Sequence, residues 1–189
     1  IYTDIGIART WETKKGNLAD INLLLIKLLN DAGIKAQPIL FSTRDNGLAV
    51  PNYPNKSQFN SVMAIVTINN NHFVLDATNK VIHYRLIPEE VVNTNGFIVE
   101  GENGRWKEII SGRNHYKVTA AVQGEIDAEG NMKGSCLVNC YDYARVQRCE
   151  EWNSNKQKFK EDHFLKPYPS VRVEELTINN AEADSMPLE

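Results

Sequence analysis

Residues 58–78 read QFNSVMAIVTINNNHFVLDAT, two apolar runs divided by three asparagines, and their reading decides the fold class. Val, Ile and Thr dominate 61–68, and Phe73, Val74 and Leu75 follow, a composition suited to a pleated, half-buried surface. Asn69 and Asn70 tolerate the positive φ that a two-residue hairpin turn requires. The stretch is therefore expected to form an antiparallel hairpin of 59–68 and 71–78. That turn sets the register, so Ile68 faces Asn71, Met63 faces Asp76 and Ser61 faces Thr78. One face carries Ser61, Met63, Ile65, Val74, Asp76 and Thr78; the other carries Val62, Ala64, Val66, Phe73 and Leu75. Both faces are apolar enough to be covered. Ser61 and Asp76 become diagonal neighbours about 7–8 Å apart at Cα. A polar pair at one end of a covered face is a site geometry, and equally a strand end where Asp76 caps backbone groups. The residues leave both readings open.

The natural cover lies upstream. Residues 17–33, NLADINLLLIKLLNDAG, start with Asn17 as N-cap, carry Asp20 in a capping-box variant, and stop at Gly33. The helix between is apolar nearly all round, the pattern of a buried helix. A short helix is expected within 3–15, with Ile7, Ala8 and Trp11 on its apolar side. A strand at Ala36–Thr43 contains Pro38, which implies an edge position or an irregular start. A loop over Thr43–Ser57 leads into the hairpin.

Downstream, glycines 96, 101 and 104 punctuate short strands near 97–99 and 106–109. The composition shifts near Gly112. Strands are expected at 115–126 and 131–141 around a turn at Asp127–Gly130, then a polar helical stretch over 142–163. Residues 170–179 alternate again as a strand. The fold class is α+β. A core domain, 1–112, packs a buried helix on an antiparallel sheet, and a small β-rich domain occupies 113–189.

The bulk properties remove several function classes. The 189 residues carry a formal net charge of -3, with 42% hydrophobic and 24% charged residues, a globular profile. The only Lys cluster is Lys156–Lys160, read as a solvated face, so no nucleic-acid partner is expected. No apolar run approaches the roughly 18 residues of a membrane span. No metal and no cofactor is called for. Cys136 and Cys140 share a strand-like segment, about 13 Å apart at Cα and too far for a disulfide. Either can pair with Cys149 or with a segment outside this sequence, and buried free thiols are the simpler reading.

Three strings occur in order: KKGNLADINLLLIKLLNDAGIKAQPILFSTRDNG (14–47), the hairpin sequence of 58–78, and RLIP (85–88). Together they resemble the transglutaminase-like proteins common in Bacteroidetes, within the papain-like cysteine hydrolase superfamily. Active relatives carry Gly-Asn-Cys-x-Asp, Phe-Asn-His-Val and Leu-Asp-Ala-Thr. The resemblance places the nucleophile at Leu18, the base at Ser61 and the orienting carboxylate at Asp76. It implies a thiolate formed at a helix N-terminus, where the pKa of a cysteine falls. It spans residues 8–110. Residues 115–189 are similar to the β-rich domain that follows this core, with Tyr143-Ala144 and then Arg145 and Arg148. Relatives also carry an upstream β-sandwich domain. The resemblance thus implies an N-terminally truncated core, a tail at 187–189 that stops inside a strand, and an extracytoplasmic place, periplasmic or cell-surface.

Departures from the pattern govern the functional expectation. Leu18 offers no nucleophile and Ser61 no proton acceptor, and losing either kind of group costs about 10⁶ in kcat in triad enzymes. His72 lies opposite Thr67, about 20 Å along the strands from Ser61, and Cys149 with His163 has no supporting motif. The expectation is a degenerate, non-catalytic module, a binding or structural unit of an envelope-associated protein. Its candidate cleft comprises Asn17, Asp20, Arg44, Asn60, Ser61, Asp76 and Thr78, open to a peptide or glycan, or completed by the upstream domain. In the structural reading Asn17 and Asp20 cap, Asn60 satisfies backbone, and Arg44 pairs with Asp45 or Asp76. The rival is a hydrolase or ligase acting on peptide amide bonds by a changed mechanism.

Overall fold

Asn69 and Asn70 turn the chain with φ of 49° and 64°, the left-handed pair that a tight hairpin needs. Around them β2 (Ser61–Ile68) and β3 (Asn71–Leu75) pair with Ile68 opposite Asn71. The hairpin and its register are as the sequence implies, but β3 ends three residues short of Thr78. The structure, a computed structural model, describes all residues except Pro54, Gly112 and Arg113. The boundary expected near Gly112 lies outside the described residues. The chain divides into two compact units, Ile1–Arg113 and Asn114–Glu189.

In the first unit α1 (Ile7–Thr13) and α2 (Leu18–Asp31) precede β1 (Ala36–Phe41), and β4 (Thr94–Glu100) and β5 (Asn103–Ile109) follow the hairpin. All ladders are antiparallel, and the strand order is β3-β2-β1-β4-β5. The period of two sorts the sheet into two faces. One face holds Ile39, Phe41, Met63, Ile65, Val74 and Ile98, covered by Ile87 of the RLIP string and by Val91 just after it. The other face holds Ala36, Ala64 and Val66, on which Ile26 of α2 packs with Leu23, Leu25 and Leu29.

Three expectations need correction here. First, α2 is not buried all round. Ala19, Asp20, Asn22 and Ile26 form its buried stripe, while Lys27, Leu28 and Asp31 face solvent. A helix on one face of a single sheet has only one layer to bury against, whatever its composition. Second, β1 is the central strand rather than an edge. Its ladder with β4 begins at Ile39, one residue past Pro38, so the missing N–H of proline falls where only β2 is paired. Third, Trp11 is exposed, with the Lys14 ammonium 3.6 Å above its ring, and Thr10 is the buried residue of α1. The Thr10 hydroxyl donates to Gly6 O, so a polar side chain there brings its own hydrogen bond.

The second unit contains one two-stranded sheet, β6 (Tyr116–Ile126) with β7 (Met132–Tyr141), and then α3 (Asp142–Ser154), α4 (Lys156–Lys160) and a π-helical turn, Glu161–Leu165. The expectation of a β-rich domain is met only by this hairpin, and helix takes up as much of the unit as strand. Residues 170–179, expected as a strand, form none: Ser170 lies in a turn and 171–179 have no regular structure. The tail is fastened otherwise. Leu188 makes a single antiparallel bridge to Cys140. Buried Arg145 donates from Nε to Met186 O and from Nη2 to Asn180 O and Ala181 O. All three cysteines are free thiols, and Cys136 is exposed rather than buried. Among the described residues, no helix is long and apolar enough to cross a membrane.

Candidate functional site

Asn17 opens α2 with both halves of a capping box: its side chain accepts from Asp20 N, and the Asp20 carboxylate accepts from Asn17 N. The same carboxylate accepts from the backbone N–H groups of Asp4, Ile5 and Gly6, which folds the start of the chain onto the helix end. Burial works to raise the Asp20 pKa, but the four N–H donors outweigh it and hold the carboxyl below the usual range. Asp20 is thus a structural clamp.

A depressed carboxyl pKa in the folded state adds stability above the unfolded value of about 3.9 and loses it as the pH falls through the folded value. Asp20→Asn is therefore expected to lower the denaturation midpoint near neutral pH, with the difference narrowing below about pH 4. Parallel midpoint curves for the two proteins from about pH 7 down to 2 would exclude this role.

One turn into α2 comes Asn22, fully buried. Its Nδ2 donates to Val62 O at 3.0 Å and to Asp76 Oδ1 at 2.9 Å, and its Oδ1 accepts from Ala77 N at 2.9 Å. In the register of this hairpin, Val62 and Ala77 are the next hydrogen-bonded pair after Ala64 and Leu75. The Asn22 amide stands where that ladder bond would form. It carries a donor and an acceptor in peptide geometry, so it satisfies both strands while holding them apart. This insertion is why β3 stops at Leu75.

Asp76 is consequently held by the helix. Besides Asn22, its carboxylate accepts from Thr78 N at 2.9 Å and from Thr78 Oγ1 at 2.7 Å. Ser61 is a different case. It pairs with Phe41 and falls on the Phe41–Met63 face, 2% exposed, and its hydroxyl is buried with no hydrogen-bond partner. The structure thus brings together Asp76, Thr78 and Asn22 and leaves Ser61 out of that network. Leu18 is the first residue of α2 and is half-buried.

The remaining candidates are engaged in hydrogen bonds. Asn60 accepts from Thr43 N and donates to Thr43 Oγ1, as the backbone-satisfying reading has it. Arg44 corrects its expectation: Nη2 donates to Val92 O at 3.0 Å, while Asp45 accepts from Thr43 Oγ1. His72 shares a hydrogen bond with Thr67 at 2.9 Å on the exposed end of the hairpin. His163 is engaged with Glu151 at 2.6 Å, and burial pushes the Cys149 thiol pKa up, so these two do not form a nucleophile and its base. No group of His, Cys, Asp and Glu suited to a metal ion occurs among the described residues.

Asn22 is the residue that sequence reasoning missed. A signal was present, because an asparagine amid LADINLLLI must bring a partner if it is buried. The helix pattern alone did not say where that partner would be. No protein-family model, no curated protein and no solved structure matches this chain.

Proposed function

We propose that this chain is a degenerate, non-catalytic transglutaminase-like module, serving as a binding or structural unit of an extracytoplasmic, envelope-associated protein. The observation that carries the reading is the condition of the three positions the resemblance singles out. Leu18 has no nucleophilic atom, Ser61 has a sealed hydroxyl without a partner, and the Asp76 carboxylate is taken up by Asn22 and Thr78. Amide transfer through a covalent intermediate needs a nucleophile within hydrogen-bond reach of a base, and the Ser61 hydroxyl has no such partner. The binding half of the proposal rests on an exposed ring beside the start of α2. Tyr2 is 77% exposed and its carbonyl accepts from Asn17 Nδ2, with Lys56 6.0 Å from its ring centroid. Such a ring suits a peptide or a glycan, by packing against side chains or sugar faces.

The test is an amide hydrolysis and transamidation assay of the unmodified chain, with a glutamine peptide and a labelled amine as substrates. The expected rate is background for both the native protein and Ser61→Ala. Turnover that Ser61→Ala abolishes would establish the rival, a hydrolase or ligase of changed mechanism. Recovery of the full-length protein only in the cytosol of its host would refute the envelope assignment.

A further inference from the structure

The second unit has a partly open cavity of about 140 Å³ between β7, the helical segment and the tail. Its walls are mixed, with Val138, Phe159, Phe164, Ile178 and Leu188 on the apolar side and Arg148 of α3 among the polar residues. Among the described residues only two buried side-chain polar atoms lack a hydrogen-bond partner, and Arg148 Nε is one of them. A guanidinium keeps its charge at every accessible pH, so a buried N–H of this kind cannot be silenced by losing its proton. It calls for an acceptor close at hand, and Arg148 is one of the residues that line the cavity.

We infer that this cavity binds a small apolar molecule ending in a carboxylate, with Arg148 as its anchor. The size fits, since an apolar cavity of about 150 Å³ takes up a benzene-sized molecule. A carboxylate supplies the acceptor and the opposite charge, which makes the strongest class of hydrogen bond to a guanidinium. Glu175 and Glu189 also line the space, and their charge disfavours a multiply charged anion such as phosphate. An apolar body with a single negative charge meets all three constraints. This inference is independent of the reading of the first unit.

Cys136 gives a direct readout, because it is exposed and lines the same cavity, while Cys140 and Cys149 are buried. The full chain is alkylated with iodoacetamide in the presence of benzoate, toluene or phosphate, and labelling of each cysteine is followed by peptide mass spectrometry. Benzoate is expected to slow Cys136 labelling saturably, with toluene and phosphate weaker by about tenfold. Arg148→Met is expected to abolish the benzoate protection and leave the unliganded labelling rate of Cys136 unchanged. Arg148→Lys keeps the charge but loses the fork, and should weaken benzoate by about tenfold. Absence of saturable protection by benzoate in the native protein would overturn the inference, whether or not either variant folds. So would protection by toluene or phosphate as strong as that by benzoate, or protection that survives Arg148→Met.

Discussion

Asn22→Ala is expected to destabilise the first unit by about 3–5 kcal/mol, an unusually large loss for a polar side chain. The substitution strands Val62 C=O inside the protein, takes the acceptor from the part-buried Ala77 N–H and removes one donor from Asp76. An orphaned buried polar group costs about 1–3 kcal/mol, and two part-buried groups lose a partner as well. Asn22→Asp should be worse at neutral pH. It retains an acceptor for Ala77 N–H but turns a carboxylate toward both Val62 O and Asp76, and its penalty should ease in acid as one carboxyl takes up a proton. Chemical denaturation of both variants measures this. A loss below about 1 kcal/mol for Asn22→Ala would mean that β2 and β3 close the Val62–Ala77 ladder bond themselves once the amide is gone.

Ser61 is expected to respond with opposite signs to two substitutions. Ser61→Ala should stabilise the fold by about 1 kcal/mol, because it removes a buried hydroxyl that has no partner to lose. Ser61→His should cost about 3 kcal/mol. The side chain is 2% exposed beside fully buried Phe41 and Met63, so an imidazole must displace close-packed neighbours and bring two ring nitrogens into an apolar layer. Equal stability of the native protein and Ser61→His would show that room for a larger side chain persists there. A destabilising Ser61→Ala would reveal a hydrogen bond to the hydroxyl and return Ser61 to the list of functional residues. Leu18→Cys together with Ser61→His carries the same question to chemistry. If the space has closed, the new thiol should show no gain in reactivity toward iodoacetamide in mild acid.

Much of this protein is legible in one dimension. The Asn69-Asn70 turn fixed the register of the hairpin, because a two-residue loop permits one pairing and the period of two then assigns every side chain to a face. The separation of Met63, Ile65 and Val74 from Ala64 and Val66 follows from that turn alone. The Asn17–Asp20 capping box is likewise local, since its partners lie three residues apart. Where local pattern was the only guide, it misled. The alternation of 170–179 reads as a strand, yet a strand exists only if another backbone is placed beside it. The bond to β7 is made by Leu188 instead.

The local sequence by itself determined the elements whose hydrogen bonds close within a few residues: the hairpin turn, the helix start and the sorting of apolar side chains between two faces. Only the tertiary structure decided what depends on partners far apart in the chain. Asn22 reaches Val62, Asp76 and Ala77 across 40 to 55 positions, ends β3 early and takes up the Asp76 carboxylate. The fate of Ser61, sealed without a partner, and the Arg148 cavity also arise from segments that meet only on folding. The physical reason is that residue type limits which bonds a buried polar group can make, whereas packing decides which partner is present to make them.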